Sequence, residues 1–300
     1  MKSAIAYTVV IAAGLALGPS AGFGSEQQWA PVAQALGKSG TEMPGGIYRV
    51  GLPRTDLHVT LDGVTLKAGF ALGSWVAFEP MGKEAMVMGD LVLTQDEVEP
   101  VMKKLLEDGI EISALHNHLL RASPLPFYMH ISARGDPVTL ARSIHEALLL
   151  SETPLGNTPT AAQPKIDLDT AMLDRTIGVA GKDAGGVYQF GIPRANSVRA
   201  HGMVVPPAMG SAESINFQPT GNGKAAITGD FVLTAAEVAP VMRTLRDNGI
   251  DVTALHNHML DDQPRMFFMH FWANDDAAKL ASGLRAALDH VNTKKQVASK

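Results

Sequence analysis

The sequence contains no cysteine, which excludes disulfide bonds and removes the acceptor for lipid attachment at a cysteine. Charge is also sparse, since 18% of the residues are charged and the formal net charge is -5, with a pI near 6.0. Nucleic acids and anionic membrane surfaces are bound through clustered Lys and Arg side chains. The composition therefore predicts no nucleic-acid partner and no binding to an anionic membrane surface.

Three common catalytic motifs are missing as well: the phosphate-binding P-loop, H-E-x-x-H and G-x-G-x-x-G. Their absence disfavours the enzyme classes that depend on them. What is present is an ordinary globular composition, with 46% apolar residues over 300 positions. That length is sufficient for two ordinary domains, each with a buried core.

The first residues have the layout of a secretory signal peptide, predicted over residues 1–24. A single Lys2 precedes an apolar run over residues 4–17, which is shorter than the roughly 20 residues of a membrane-spanning helix. Cleavage after Ala21 and cleavage after Gly24 both fit, and an uncleaved anchor is the alternative. We expect a periplasmic or secreted bacterial protein without membrane insertion after cleavage.

The rest of the chain contains one unit written twice. Residues 89–120 (GDLVLTQDEVEPVMKKLLEDGIEISALHNHLL) and 229–260 (GDFVLTAAEVAPVMRTLRDNGIDVTALHNHML) are identical at 19 of 32 positions without a gap. The predicted units cover residues 27–150 and 167–292, joined by a linker rich in Pro and Thr at 151–166. Gly-rich turns between short apolar runs predict strands, and Thr94-x-x-Glu97 and Thr234-x-x-Glu237 predict capped helices. Each unit is therefore predicted to be α+β, a mostly antiparallel sheet with two or three helices.

Histidine is the main chemical signal, because six of the ten histidines lie in the repeated segments. They are His116, His118 and His130 in the first unit and His256, His258 and His270 in the second. In a strand, His116 and His118 would share one face. If the following run pairs as a hairpin with residue numbers summing to 246 or 248, His130 lies beside one of them. A sum of 247 would disperse the three rings.

Three imidazoles on one sheet face form a good site for Zn, Cu, Ni or Fe, so a divalent transition metal is the predicted cofactor. Asp90 and Asp230 are candidates to orient the ligand histidines, although a turn or strand-edge role fits them too. Arg54 and Arg194 are candidates to bind an anionic ligand, with a surface salt bridge as the alternative. The competing interpretation makes the histidines a structural polar network.

The paired segments GD-L/F-V-L-T and ALHNH, with the later M-H, resemble a family of exported bacterial proteins named for the mycobacterial lipoproteins LppY and LpqO. The resemblance implies export and a tandem domain of unknown function, and no reaction. The missing lipidation cysteine departs from the lipoprotein members, so anchoring is not carried over.

Two functions follow as hypotheses. The first is a metal site used for metal-dependent hydrolysis or metal handling, in which the catalytic residues themselves are unassigned. The second is a non-catalytic binding protein for a small molecule or a cell-envelope component, with the histidines in the wall of its cleft. Compact histidine rings favour the first, whereas rings spread along a groove beside Tyr128, Phe268 and Trp272 favour the second. The oligomeric state is left open.

Overall fold

The computed structural model describes residues 25–156 and 165–294, which form two units with the same order of strands and major helices. The first contains α1 (Ser25–Leu36), β1 (Thr41–Met43), β2 (Ile47–Pro53), β3 (Thr60–Leu61), β4 (Val64–Thr65), α2 (Ala68–Ala71), β5 (Gly73–Met81), β6 (Glu84–Leu93), α3 (Gln95–Glu107), β7 (Glu111–His116), β8 (Phe127–Gly135) and α4 (Pro137–Leu148). The second contains α5 (Thr170–Ile177), β9 (Lys182–Asp183), β10 (Tyr188–Pro193), β11 (Arg199–Ala200), β12 (Met203–Val204), a 3-10 turn (Pro207–Met209), β13 (Ala212–Gly221), β14 (Lys224–Thr234), α6 (Ala235–Asp247), β15 (Asp251–His256), β16 (Met266–Asp276) and α7 (Ala277–Leu288). The predicted signal peptide and residues 157–164 of the predicted linker lie outside the described residues.

Each unit is built on one six-stranded antiparallel sheet. The strand order is β1-β2-β5-β6-β8-β7 in the first unit and β9-β10-β13-β14-β16-β15 in the second. The predicted α+β fold of two tandem units is thereby confirmed. Within the described ranges, no helix combines the length and the apolarity that a transmembrane helix needs.

The two capping boxes are present as predicted. The Thr94 backbone N–H donates to Glu97 at 2.8 Å at the start of α3, and the Thr234 backbone N–H donates to Glu237 at 2.7 Å at the start of α6. These bonds satisfy N–H groups that the first helical turn would otherwise leave unpaired. The helices therefore begin at fixed points directly after the central strands β6 and β14.

The helices cover one face of each sheet, and the opposite faces of the two sheets pack against each other. Val101 and Leu105 of α3 are fully buried in the core of the first unit. Two further apolar clusters contain residues of both units, for example Met86 with Phe268, and Phe70 with Trp272. Strand β6 is buried over nearly its whole length, because helices cover one of its faces and the second unit covers the other.

Polar contacts also join the units. The Gln218 side chain accepts from the backbone N–H of Lys67 and donates to the carbonyl oxygen of Thr65, both at 2.8 Å. The Trp272 indole N–H donates to Asp62 at 3.0 Å. The inter-unit apolar cluster that contains Phe70 and Trp272 is thus accompanied by hydrogen bonds that fix the relative position of the sheets.

Gly89 and Gly229, which precede Asp90 and Asp230 in the two copies, have a steric role that can be tested. A Cβ atom at Gly229 would overlap the carbonyl oxygen of Ser214 on the neighbouring strand, and backbone atoms cannot move aside cheaply. Gly229→Ala should therefore reduce the free energy of unfolding by roughly 1 to 3 kcal/mol in urea denaturation. Gly191→Ala is the matched control, because a Cβ there meets nothing within 4 Å. Equal stability of the two variants would contradict the steric explanation.

Candidate metal centre

The strand pairing places His116 and His130 on one face of the first sheet, although not in the predicted register. His130 lies opposite Ala114, a residue sum of 244, and the second unit repeats this with His270 opposite Ala254. The observed sum of 244 is even, as in both predicted registers, but it is lower than the predicted sums of 246 and 248 by 2 and 4. An irregularity at Ser113 shifts the pairing within β7, where sums change from 243 to 244.

His118 lies beyond the strand that was predicted to contain it. Strand β7 ends at His116, so His118 belongs to the loop that leads to β8. The next residue, Leu119, is fully buried in an inter-unit apolar cluster and anchors this loop. Ser113 adds a bond between the units by donating from its hydroxyl to the carbonyl oxygen of His258 at 2.6 Å.

The two predicted sites, one in each unit, are in fact one cluster. We call His116, His118, His130, His256, His258 and His270 the histidine cluster. Its closest ring centroids join the units: 3.6 Å for His116 and His256, 3.6 Å for His118 and His270, and 3.7 Å for His130 and His258. Within a unit, the corresponding distances are 4.9 and 5.0 Å. The matched pairs show that the units are related by a pseudo-twofold axis passing close to His116 and His256.

Aromatic side chains close two sides of the cluster. His118 is stacked between Tyr128 at 3.5 Å and His270, and His258 is stacked between Phe268 at 3.4 Å and His130. Such contacts restrict the rotation of the two loop histidines. Trp272, the third aromatic residue considered above, instead packs on Phe70 and contributes its N–H to Asp62.

The cluster concentrates polar atoms that have no partner. Among the described residues, none hydrogen-bonds to the buried Nε2 atom of any of the six rings, and the same holds for Nδ1 of His116. Burying a polar group without a hydrogen bond costs on the order of 1 to 3 kcal/mol. His270 shows the orientation most clearly, because its Nδ1 lies 2.9 Å from the Gly229 carbonyl oxygen and leaves Nε2 facing the cluster. A metal ion bound among the rings would provide a partner for these unpaired Nε2 atoms.

Burial also keeps the rings neutral. It is the main cause that lowers the pKa of His116 to about 2 and that of His256 to about 4, and repulsion from neighbouring histidines adds to it at His116. Burial and the same repulsion lower the pKa of the other four rings well below the usual value. Neutral imidazoles at pH 7 each retain a nitrogen lone pair, which is the form that binds a metal.

Asp90 and Asp230, the candidates to orient the ligand histidines, lie beside the cluster without hydrogen bonds to its rings. Asp90 Oδ1 is 3.8 Å from Nε2 of His130, and Asp230 Oδ1 is 3.8 Å from Nε2 of His270. Both carboxylate oxygens are buried and lack a partner among the described residues. Burial raises the pKa of Asp90 to about 7, against the attraction of Arg49, and raises that of Asp230 well above its usual value. Each aspartate is thus placed as a ligand or as a proton-exchanging neighbour.

Several subsets of these residues have the spacing of a metal site. In each subset the candidate ligand atoms lie within 4.8 Å of one another. Two subsets combine both units, His116 with His130 and His258, and His116 with His118 and His256. The others are His256 with His258 and His270, and Asp90 with His118 and His130. The donor set of imidazole nitrogens with one carboxylate suits Zn, Cu, Ni or Fe(II).

Arg54 lies in a buried ion pair, in contrast to the surface salt bridge weighed for it above. The Arg54 guanidinium is fully buried and binds Asp56 at 2.7 Å and Glu97 at 2.7 Å. It also donates to the carbonyl oxygen of Val92. These bonds engage every nitrogen of the guanidinium and fix the first turn of α3 to the sheet.

Arg194 repeats this role with its negative partners rearranged. Asn196 stands where the first unit has Asp56, and Glu213 lies where the first unit has Ser74. Glu237 binds Arg194 at 3.0 Å, and Glu213 lies 3.7 Å from it. Two carboxylates therefore lie near the arginine in each unit. In the second unit, one of them is Glu213 on β13, which replaces the carboxylate at the position of Asp56.

A cavity of about 540 Å³ adjoins the cluster and is lined by both units. Its wall includes His118, His130, His258 and His270, together with Arg49 and Trp75, which the sequence reasoning passed over. Arg49 does carry a sequence signal, since its counterpart in the second copy is Gln189 within otherwise similar segments. Differences between the copies, and not their identities, mark this part of the site.

Comparisons with known proteins agree with the duplication. Residues 30–149 and 171–290 each match the family model described as Domain of Unknown Function (DUF1259). No curated protein matches the chain. Two solved structures have low TM-scores: a trimeric bacterial microcompartment shell protein PduB (12% identity, covering 82% of this chain and 88% of that chain, TM-score 0.19) and EtuB from Clostridium kluyveri (10% identity, 83% and 88%, TM-score 0.21). Likeness at these scores supports no conclusion about fold, assembly or function.

Proposed function

The chain belongs to the family described as Domain of Unknown Function (DUF1259). We propose that it is a transition-metal enzyme whose metal centre is shared by the two units. The observation that carries the proposal is the set of six buried Nε2 atoms, gathered between the sheets, that have no partner among the described residues. A structural polar network would pair its buried nitrogens with oxygens, because unpaired polar groups destabilise a fold. Here the nearest histidine neighbours stack face to face at 3.6 or 3.7 Å between ring centroids, and no hydrogen bond among the described residues reaches their buried Nε2 atoms.

The sharing of the centre follows from the distances. Each ring of the cluster has its nearest histidine neighbour in the other unit, at 3.6 or 3.7 Å. An ion that binds neighbouring rings therefore draws ligands from both units. His116 and His256, close to the axis, are available to either half of the cluster.

Metal-dependent hydrolysis fits the surroundings better than metal transport. His130 and His270 are 6% and 3% exposed, so an ion bound there is enclosed and exchanges slowly. The adjoining cavity is within the size range of small-molecule sites, roughly 300 to 1,000 Å³. A bound transition metal supplies a Lewis acid and lowers the pKa of a coordinated water. Asp90, with a pKa near 7, is suited to exchange a proton beside it.

Export remains part of the proposal and is supported by the N-terminal sequence. Lys2, the apolar run and the small residues that follow are the features of a signal peptide. The resemblance to the LppY and LpqO family of exported proteins points the same way. Edman sequencing of protein from the culture medium or periplasm would reveal a new N-terminus near residue 22 or 25, whereas an intact Met1 would contradict cleavage.

The metal proposal is tested by elemental analysis of protein purified without an affinity tag. We expect bound Zn, Cu, Ni or Fe in the wild type, and almost none in either His116→Ala/His118→Ala or His256→Ala/His258→Ala. Loss in both variants is expected because a shared centre needs both units. His145→Ala is the matched control, since His145 Nδ1 bonds to the Leu36 carbonyl oxygen outside the cluster.

Two outcomes would oppose the proposal. Retention of about half the metal in each double variant would indicate one independent site per unit. A wild type that holds no metal and takes up none from solution would leave the histidines as structural groups or as part of a ligand-binding wall.

A further inference from the structure

Arg49 and Trp75 form a distinct polar feature in the cavity beside the histidine cluster. The Arg49 guanidinium carbon lies 3.9 Å from the centroid of the Trp75 ring. One terminal nitrogen of Arg49 donates to the carbonyl oxygen of Ala208 in the second unit. The aromatic face and the carbonyl oxygen hold the guanidinium in place without neutralising its charge.

The remaining donors of this guanidinium are free to bind a ligand. An arginine has five N–H donors, and the bond to Ala208 uses one of them. Within the described parts of the chain, no carboxylate lies within 4.0 Å of Arg49 and no other acceptor is bonded to it. Arg49 and Trp75 both line the cavity, so the guanidinium adjoins a space that a small molecule can enter.

The strand register aligns this feature with the histidines. Gly51 pairs with Trp75, Trp75 with Asp90, and Asp90 with His130, so one row crosses four strands on the face of the sheet turned to the second unit. Three interstrand steps of about 4.8 Å separate the ends of this row, roughly 14 Å. A Cβ at Gly51 would meet nothing within 4 Å, so the sheet surface beside Arg49 at this end of the row is open.

The second unit lacks the feature. The residues matching Arg49 and Trp75 are Gln189 and Ser214, which provide neither a cation nor an aromatic face. Gly191, like Gly51, has open space above it. The cavity thus has two ends of similar shape and different chemistry, on either side of one histidine cluster.

We infer that Arg49 is an oxyanion-binding group, and that the substrate is a small molecule carrying a carboxylate or phosphate at the end away from the histidine cluster. This inference rests on the proposed function for the identity of the reacting end, whereas the oxyanion subsite itself requires no metal. A planar guanidinium with several free N–H groups matches two oxygens of a carboxylate or phosphate at once.

The charges around the subsite are compatible with an anion. Burial raises the pKa of Asp90 to about 7 and that of Glu213 to about 8, and raises that of Asp230 as well. The raised pKa values reduce the negative charge that these carboxyl groups on the cavity wall carry near neutral pH. Repulsion of an incoming anion is correspondingly weak, whereas the arginine stays charged.

The test is calorimetric titration of the full chain with inorganic phosphate and, separately, with acetate. Metal is first removed with a chelating resin, because dissolved chelators are themselves polycarboxylates. We expect saturable binding of at least one of the two ions, and the stronger binder identifies the substrate group as phosphate or carboxylate. Arg49→Gln should weaken this binding by 10- to 100-fold, since charge-assisted hydrogen bonds are lost. Arg134→Gln, at an exposed salt bridge, should leave it unchanged.

Gly51→Val provides a second variant that leaves Arg49 intact. The valine side chain would fill the open space beside Arg49, so anion binding should fall at least 10-fold. Gly191→Val is the matched control at the other end of the cavity and should bind as the wild type does. The fold accommodates Gln at the position of Arg49, because the second unit has Gln189 there.

The outcomes separate this inference from the metal proposal. Anion binding that depends on Arg49 in a protein that takes up no metal would support the subsite and refute the metal centre. Metal uptake without any phosphate or acetate binding, or binding that is equal in Arg49→Gln, would refute the subsite and leave the metal centre standing.

Discussion

Replacing His116 with phenylalanine is expected to stabilise the metal-free protein and, at the same time, to weaken metal binding severely. Both ring nitrogens of His116 are buried without a partner among the described residues, so the apolar ring removes two unsatisfied polar atoms. We expect a gain of about 1 to 3 kcal/mol in the free energy of unfolding, measured in urea after treatment with a chelating resin. The ring stacking with His256 at 3.6 Å is preserved by a phenyl group.

The same variant should bind metal on the order of 100-fold more weakly or worse, because a ligand nearest the pseudo-twofold axis is lost. Competition with a chromophoric chelator measures this affinity. His145→Phe is the control for stability, since its hydrogen bond to the Leu36 carbonyl oxygen is lost and the protein should become less stable. If His116→Phe instead destabilises the metal-free protein, the histidines are a satisfied structural network and the metal proposal loses its main support.

Replacing Arg54 with methionine is expected to lower the free energy of unfolding of the first unit by about 3 to 5 kcal/mol. This is the largest loss of stability that we predict for a single substitution. The methionine leaves the buried Glu97 without its cation, and the more exposed Asp56 also loses its partner. Glu97 also accepts from the backbone N–H groups of Thr94 and Glu152, so the start of α3 and the segment after α4 lose support together. Urea denaturation followed by circular dichroism measures the change.

An exposed salt bridge on α3 provides the control for this prediction. Lys103 and Glu107 on α3 are 69% and 59% exposed and lie 3.9 Å apart, so Lys103→Met should change stability by less than about 0.5 kcal/mol. A double variant, Asn196→Asp/Glu213→Ser, would transfer the charge arrangement of the first unit to the second. It should be more stable than Glu213→Ser alone, and equal stability would show that the two positions are not coupled.

The fold was largely predictable because its signals are local and occur twice. Capping boxes at Thr94 and Thr234 fix the helices, and short apolar runs between glycines fix the strands. The even parity of the hairpin containing His116 and His130 was also predictable, since one face must be buried. The register itself was not, because the irregularity at Ser113 leaves no distinctive residue type in the sequence.

That the two sets of histidines form one cluster could not be predicted from the sequence, for a different reason. Strand patterns show which residues share a face, but they do not show which face meets the other unit. Both faces of the central strands are apolar, as the burial of β6 shows, so neither face could be identified as the contact. The buried position of Arg54 was hidden similarly, because its partners Asp56 and Glu97 meet only after the sheet and α3 have packed.

The pseudo-twofold axis through the cluster has a consequence for how such a pocket evolves. Two identical chains paired around this axis would have to carry the same residue at both ends of the cavity, so any change that helped one end would alter the other. Tandem copies in one chain escape that constraint. Arg49 and Gln189, or Trp75 and Ser214, then diverge while the six histidines stay matched. Duplication within one chain thus allows a symmetric histidine cluster to adjoin a cavity whose two ends carry different side chains.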